Sequence, residues 1–185
     1  MITKTYNVFT FEELTEEQKD KAINNYRDIN TEDVDADVWV IEEWEEKLQR
    51  QGFEDAKINY SGFWSQGDGA SFDCSVNLEQ FIKGRRCITE YKKQLDAFND
   101  GDISIAITNN GHYCHEYTMQ IDIIEDYNEL ITDELEQFIL EEARDQARKT
   151  YKALEDNYNY QSSDESITET LKVNEYYFTE DGKID

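Results

Sequence analysis

The sequence predicts an α+β fold: an antiparallel sheet of two hairpins, about four to six strands in all, packed against several amphipathic helices. Short stretches alternate apolar and polar residues between Gly, Asn and Asp, as half-buried strands do. Longer stretches repeat their apolar residues every three to four positions, as helices do. Apolar residues make up 38% of the 185 and aromatics 13%, enough for a packed core although 33% are charged. Two hairpins separated by a helix, with further helices at both ends, read as a sheet covered on one face. No proline and no low-complexity linker interrupts the chain, so residues 1–185 read as a single acidic domain.

Residues 6–10 read as a short strand. Thr10 and Glu13 have capping-box spacing, and Phe11, Leu14, Ala22 and Tyr26 follow on one helical face, predicting a first helix to about residue 28. Residues 31–33 open a second helix, with acids at the positive end of its dipole. Val34, Val38, Ile41, Trp44 and Leu48 form its buried stripe, and Gly52 ends it. Its opposite face carries Asp35, Trp39, Glu42, Glu43 and Glu46. Residues 57–60 and 70–76 read as strands joined by residues 61–69, whose three glycines allow positive φ and close backbone approach. Residues 78–98 read as one helix bearing Lys83, Arg85, Arg86, Lys92 and Lys93.

Residues 102–108 alternate as a half-buried strand, Asn109-Asn110-Gly111 signals a tight hairpin, and residues 112–124 return as the partner strand. A long helix over about residues 128–157 turns Leu135, Ile139, Ala143, Ala147, Tyr151, Leu154 and Tyr158 inward. Ser163-Asp164-Glu165 caps a last helix through residue 173, and residues 176–179 form a final strand paired with the first.

The net charge of −25 comes from 18 basic and 43 acidic residues, unevenly spread. Residues 1–50 hold 6 basic against 14 acidic residues, residues 51–100 hold 6 against 8, and residues 101–185 hold 6 against 21. A field of this sign repels nucleic acid and anionic membranes and attracts basic proteins. The plain reading of such charge is solubility alone. Acids fixed on helices, however, also have the arrangement needed to imitate backbone phosphates in a basic groove. No apolar run approaches the ~18 residues of a membrane span. The start of the chain lacks a signal-peptide pattern, and three cysteines fit reduced thiols in a cytosol.

No catalytic constellation stands out, and no cofactor is expected. His112-Tyr113-Cys114-His115, placed on a strand, would point alternately to opposite faces, and Cys74 would add at most one further ligand. Zinc needs four converging ligands, usually with Cys-x-x-Cys-type spacing, which is missing. Surrounding acids would raise a thiol pKa and disfavour thiolate, against a cysteine nucleophile. Asp68, Asp73 and Asp102 are available carboxylates, but Gln66-Gly67-Asp68-Gly69 lacks a calcium loop's spacing. A metal-dependent or thiol enzyme is therefore the lesser alternative. The loop around Phe63, Trp64, Gln66 and Asp68 reads either as a roof on the core or as a hot spot for a partner.

Residues 61–72, Ser-Gly-Phe-Trp-Ser-Gln-Gly-Asp-Gly-Ala-Ser-Phe, resemble a motif of small bacteriophage and prophage proteins. Phe11-Glu12-Glu13-Leu14, Gly111-His112-Tyr113 and the stretch from Asn174-Glu175-Tyr176 to Phe178-Thr179-Glu180-Asp181-Gly182 extend the likeness over nearly the whole chain. Part of this group is similar to the type II-A anti-CRISPR inhibitors. The resemblance implies a binder of the RNA-guided effector nuclease of a bacterial host, acting in the host cytoplasm. Some relatives in the group are loosely labelled antitoxins, which implies the alternative of a binder of a basic host or phage protein.

Overall fold

The computed structural model describes residues 7–32, 36–101, 103–109, 111, 113–125 and 130–185. The expectations for Tyr6, Asp33, Val34, Asp35, Asp102, Asn110 and His112 lie outside these residues. The chain is α+β and forms two compact units, Met1–Val38 with Asp156–Asp185, and Trp39–Glu155. Among the described residues no helix is long and apolar enough to cross a membrane.

The larger unit is built on a four-stranded antiparallel sheet of strands β2 (Phe53–Tyr60), β3 (Ala70–Val76), β4 (Ile103–Asn109) and β5 (Met119–Glu125), in the order β2-β3-β4-β5. Period-two alternation sends Ile103, Ile105 and Ile107 of β4 inward with Phe72, Cys74 and Val76 of β3, while Ser75 and Ser104 face solvent. These inward residues share one core with Leu48 of α2 (Val38–Arg50), Leu78, Phe81 and Ile82 of α3 (Leu78–Arg85), and Leu135, Ile139, Ala143 and Ala147 of α5 (Asp133–Gln161). Edge-to-face contacts of Phe53 with Phe72 and Phe81, at 5.6 and 5.7 Å, lock its centre. The sheet is thus covered by helices on one face, as the alternation predicts.

The smaller unit pairs β1 (Phe9–Thr10) with β6 (Tyr177–Phe178), the predicted closure of first strand on last. Phe11, Leu14, Ala22, Ile167, Leu171 and Phe178 form its core, contributed also by α1 (Glu16–Asn25) and α6 (Asp164–Val173). Arg27 ion-pairs with Asp164, and Asn30 Nδ2 donates to Ser166 Oγ at 3.0 Å.

Several element boundaries differ from the sequence expectation: β2 starts four residues earlier, at Phe53, and α5 runs Asp133–Gln161 rather than over about 128–157. Four further differences have a local reason. The Thr10 capping box exists, with its amide and hydroxyl donating to Glu13 Oε2 at 2.9 and 3.0 Å. It caps only a 3₁₀ turn, Phe11–Glu13, and a second box at Thr15 and Gln18 starts α1. The second helix begins at Val38 rather than residue 31, so Val38 is exposed and the buried positions are Val40 and Leu48. The predicted helix over 78–98 is two, because Arg86 adopts left-handed φ of 60° and its amide closes back on Ile82 and Lys83 carbonyls; α4 (Lys92–Asp100) follows. Strand β5 begins at Met119, not residue 112, because Asn109 pairs with Met119 and leaves nine residues between the strands.

Gly52 ends α2 at φ 92°, where an added Cβ would lie 2.7 Å from the Phe81 amide nitrogen. Gly84 sits inside α3 with open space around it. Gly52→Ala is therefore expected to lower unfolding free energy by roughly 1–3 kcal/mol, and Gly84→Ala to raise it by up to about 1 kcal/mol. Urea denaturation of the two variants checks this; equal shifts would contradict the backbone assignment.

Candidate partner-binding site

In an up-and-down meander the β2–β3 and β4–β5 connections leave the sheet at the same end. The first spans residues 61–69 and the second residues 110–118. They meet there. A Cβ on Gly69 would lie 2.9 Å from the Cys114 carbonyl oxygen and 3.0 Å from His115 Cδ2, so glycine is what permits the two backbones to approach. A Cβ on Gly67 would lie 3.8 Å from the Tyr113 ring.

Local hydrogen bonds fix the first loop. Asp68 Oδ2 accepts from the Trp64 and Ser65 amides at 2.9 and 2.6 Å, and the Ser61 amide donates to the Gly69 carbonyl at 3.1 Å. Phe63 turns down, its ring 5.7 Å from Tyr60 and 5.5 Å from Tyr151 of α5, and the Tyr151 hydroxyl donates to the Gly62 carbonyl at 3.1 Å. Trp64 turns out and is 72% exposed. The loop is both roof and presenter: Phe63 serves the first role and Trp64 the second.

The second loop is fixed from β3. Asp73 Oδ1 accepts from the Asn109 amide at 2.8 Å, and Asn109 Nδ2 donates to Ser71 Oγ at 2.7 Å. The Gly111 amide donates to Asn109 Oδ1, and Thr118 Oγ1 donates to the His115 carbonyl at 2.7 Å. Here the strand assignment of Tyr113, Cys114 and His115 is corrected. Cys114 and His115 lie in the loop, and His115 precedes a 3₁₀ turn, Glu116–Thr118, so strand alternation does not order them. His115 stacks on Tyr117 at 5.2 Å and lies 2.9 Å from Glu116. Tyr113 and Tyr117 are 60% and 69% exposed.

Of the residues singled out in sequence, Phe63, Trp64, Gln66 and Asp68 come together in this end, with Gln66 exposed. Trp39, Glu42, Glu43 and Glu46 lie on the exposed face of α2, as expected, and Asp35 is outside the described residues. Two of the three glutamates on this α2 face have a cationic partner on the same helix. Glu43 pairs with Lys47 and Glu46 with Arg50, both at 2.8 Å, one helical turn apart. Tyr60, Tyr113, Tyr117 and Tyr151 were not among the candidate partner-binding residues; Tyr113 was read only within the His112–His115 stretch and Tyr151 only as part of the long helix's inner stripe. The signal available was topological: successive hairpins of a meander share an end.

Cys74 is buried in the core, and burial pushes its thiol up to about 12. At neutral pH that leaves the group almost wholly as thiol, and thiolate is the reactive form. No group of three His, Cys, Asp or Glu side chains among the described residues is placed to hold a metal ion.

A family model described as a domain of unknown function (DUF8835) matches residues 37–164, a span that contains the whole sheet unit and both loops. No curated protein and no solved structure matches the chain.

Burial raises the Tyr151 phenol above its ordinary value, with the Asp68 and Glu155 charges adding to the effect. A proton held more tightly in the folded state stabilises the fold below the ordinary tyrosine pKa of about 10 and is lost as pH rises beyond it. Tyr151→Phe should therefore lose stability less steeply above about pH 10 than the parent chain, in denaturation midpoints measured from pH 8 to 11. Parallel profiles would place no titration at Tyr151. Cys74 should resist alkylation in the native state at pH 8 and react fully in denaturant, read by mass spectrometry of the Cys74 peptide.

Proposed function

We propose that this chain, which belongs to the DUF8835 family, acts as a stoichiometric inhibitor that binds a basic, nucleic-acid-handling protein rather than as an enzyme. The target is the RNA-guided effector nuclease of a type II CRISPR system, as the resemblance of residues 61–72 implies, and the setting is the cytoplasm of a phage-infected bacterium. One observation carries the binding reading: Trp64 is held 72% exposed on a loop whose own hydrogen bonds fix its backbone. Exposing a large apolar ring costs hydration free energy, and ordering it beforehand removes an entropic cost of association. Hot spots of protein interfaces favour tryptophan and tyrosine for these reasons.

The charge of −25 supports the same partner class. A nuclease of this kind holds nucleic acid in positively charged channels, and an acidic chain is drawn to them over a Debye length of about 8 Å at physiological salt. The chain itself would not bind nucleic acid, whose phosphates its field repels. Inhibition follows by occupation of surface that guide-paired DNA requires, with no bond made or broken.

Mixing the tagged chain with a guide-loaded type II nuclease and measuring target cleavage at rising inhibitor ratio tests this. The expected result is loss of cleavage near one equivalent, with affinity falling at least tenfold between 50 and 300 mM salt. Undiminished cleavage at a large excess would overturn the nuclease target. Charge reversal of Glu42, Glu43 and Glu46 to Lys should weaken binding less than Trp64→Ala, because two of the three carboxylates are already paired.

A further inference from the structure

The two edges of the four-stranded sheet are built differently. On one side, β2 is broken by a bulge between Glu54 and Lys57. There Asp55 takes a left-handed φ of 53°, and its amide donates to Gln49 Oε1 of α2 at 3.2 Å. A bulge and an edge lysine are means by which a sheet closes its edge to further strands. On the other side, β5 keeps unbroken register with β4 over all of Met119–Glu125. It contains Ile121, Ile123 and Ile124, and no proline, lysine or arginine.

Hydrogen bonding settles which backbone groups of β5 face outward. The Asn109 amide is turned toward β3, where Asp73 Oδ1 accepts it at 2.8 Å. Backbone groups alternate sides along a strand, so Ile105 and Ile107 of β4 also bond toward β3. Their partners Ile123 and Ile121 then point N–H and C=O away from the sheet. Met119, on the same alternation, agrees. Its amide donates to the Glu116 carbonyl, and its carbonyl accepts from Arg144 Nη2 at 3.3 Å, both outside the ladder. Among the described residues, no group meets the outward N–H or C=O of Ile121 or Ile123.

The side chains match this open edge. Ile121 and Ile123 lie on the core side, opposite Ile107 and Ile105, yet stay only half-buried where those two are buried. On the other side of the strand Asp122 is exposed, and Ile124 is 69% exposed. Asp122 accepts from the Thr108 hydroxyl at 2.9 Å, a neutral donor that leaves its charge uncancelled. No cation pairs with Asp122 among the described residues.

We infer that the outer edge of β5 is a docking site for an extended segment of a basic partner protein, which joins the sheet as a fifth, antiparallel strand. The segment places apolar side chains opposite Ile121 and Ile123 and a Lys or Arg opposite Asp122. The inference rests on the reading that the chain binds a basic protein, and it names the mode of contact. Main-chain bonds to Ile121 and Ile123 supply affinity, and the alternation of side chains supplies specificity. A second copy of this chain is a poor occupant, because it brings the same −25 charge.

The test uses the full chain, a short peptide alternating Val with Lys, and the same peptide N-methylated at every Val, with amide exchange resolved by residue in NMR. In the free chain the Ile121 and Ile123 amides should exchange fast and the Asp122 amide, bonded to β4, slowly. The unmodified peptide is expected to slow exchange at Ile121 and Ile123. N-methylation removes the Val donors but keeps charge and apolar bulk, and should weaken binding about tenfold. Asp122→Lys should weaken it several-fold. Ile123→Pro should nearly abolish it, since proline removes an outward donor that the β4 ladder does not use. A thermal melt checks both variants, and Asp122→Lys, at an exposed position, carries the test should Ile123→Pro unfold. Slow exchange of Ile121 and Ile123 in the free chain, equal binding of the two peptides, or indifference to Asp122→Lys overturns the inference. Nuclease inhibition that survives both substitutions overturns it as well, while leaving the inhibitor reading in place. Strand addition by the peptide without nuclease binding removes the nuclease and keeps the docking edge.

Discussion

Ile103, Ile105 and Ile107 are buried in the same core as Leu135, Ile139, Ala143 and Ala147, and this one-sided burial governs the rest of the sheet unit. With one face committed to the helices, register is fixed, because a slip of one residue would turn the isoleucines to water. Strand direction then alternates, and both hairpin connections must emerge at one end. The candidate site is thus a consequence of how the core is packed. Neither loop carries it alone; Gly69 beside the Cys114 carbonyl is where the two become one surface.

The site divides its aromatic residues between two tasks. Phe63, Tyr60 and Tyr151 stack inward and tie the loop to α5, so their contribution is to order. Trp64, Tyr113 and Tyr117 face outward and contribute surface. Asp68 links the two sets, since its carboxylate caps the Trp64 and Ser65 amides and its charge is felt at the Tyr151 phenol. A loop secured in this way meets a partner with little left to order, which favours binding at equal contact area.

Charge plays a different part from the one its total implies. Pairs at helical spacing, such as Glu43 with Lys47, Glu46 with Arg50 and Asp145 with Lys149, consume carboxylates locally. Such exposed pairs contribute little to stability. They do cut down the number of unpaired carboxylates on α2 available to mimic a phosphate array. The long-range field of −25 remains; in the proposed reading it is what draws a basic partner inward.

By itself the sequence determined the α+β class, the one-sided sheet and the strands of the two hairpins. Each follows from local periodicity, which hydrophobic burial enforces residue by residue. Its glycines and aromatics also marked the loop with Phe63, Trp64, Gln66 and Asp68 as unusual, though without saying which ring turns in. Only the tertiary structure decided that Arg86 breaks a helix, because a left-handed residue leaves no periodic trace. It alone replaced the expected Asn109-Asn110-Gly111 turn by a nine-residue connection, since Asp73 and Ser71 of a neighbouring strand hold Asn109 in place. It alone joined the 61–69 loop to Tyr113, His115 and Tyr117. Contacts between segments some 50 residues apart depend on strand order and side-chain packing, and neither is written in any window of the sequence.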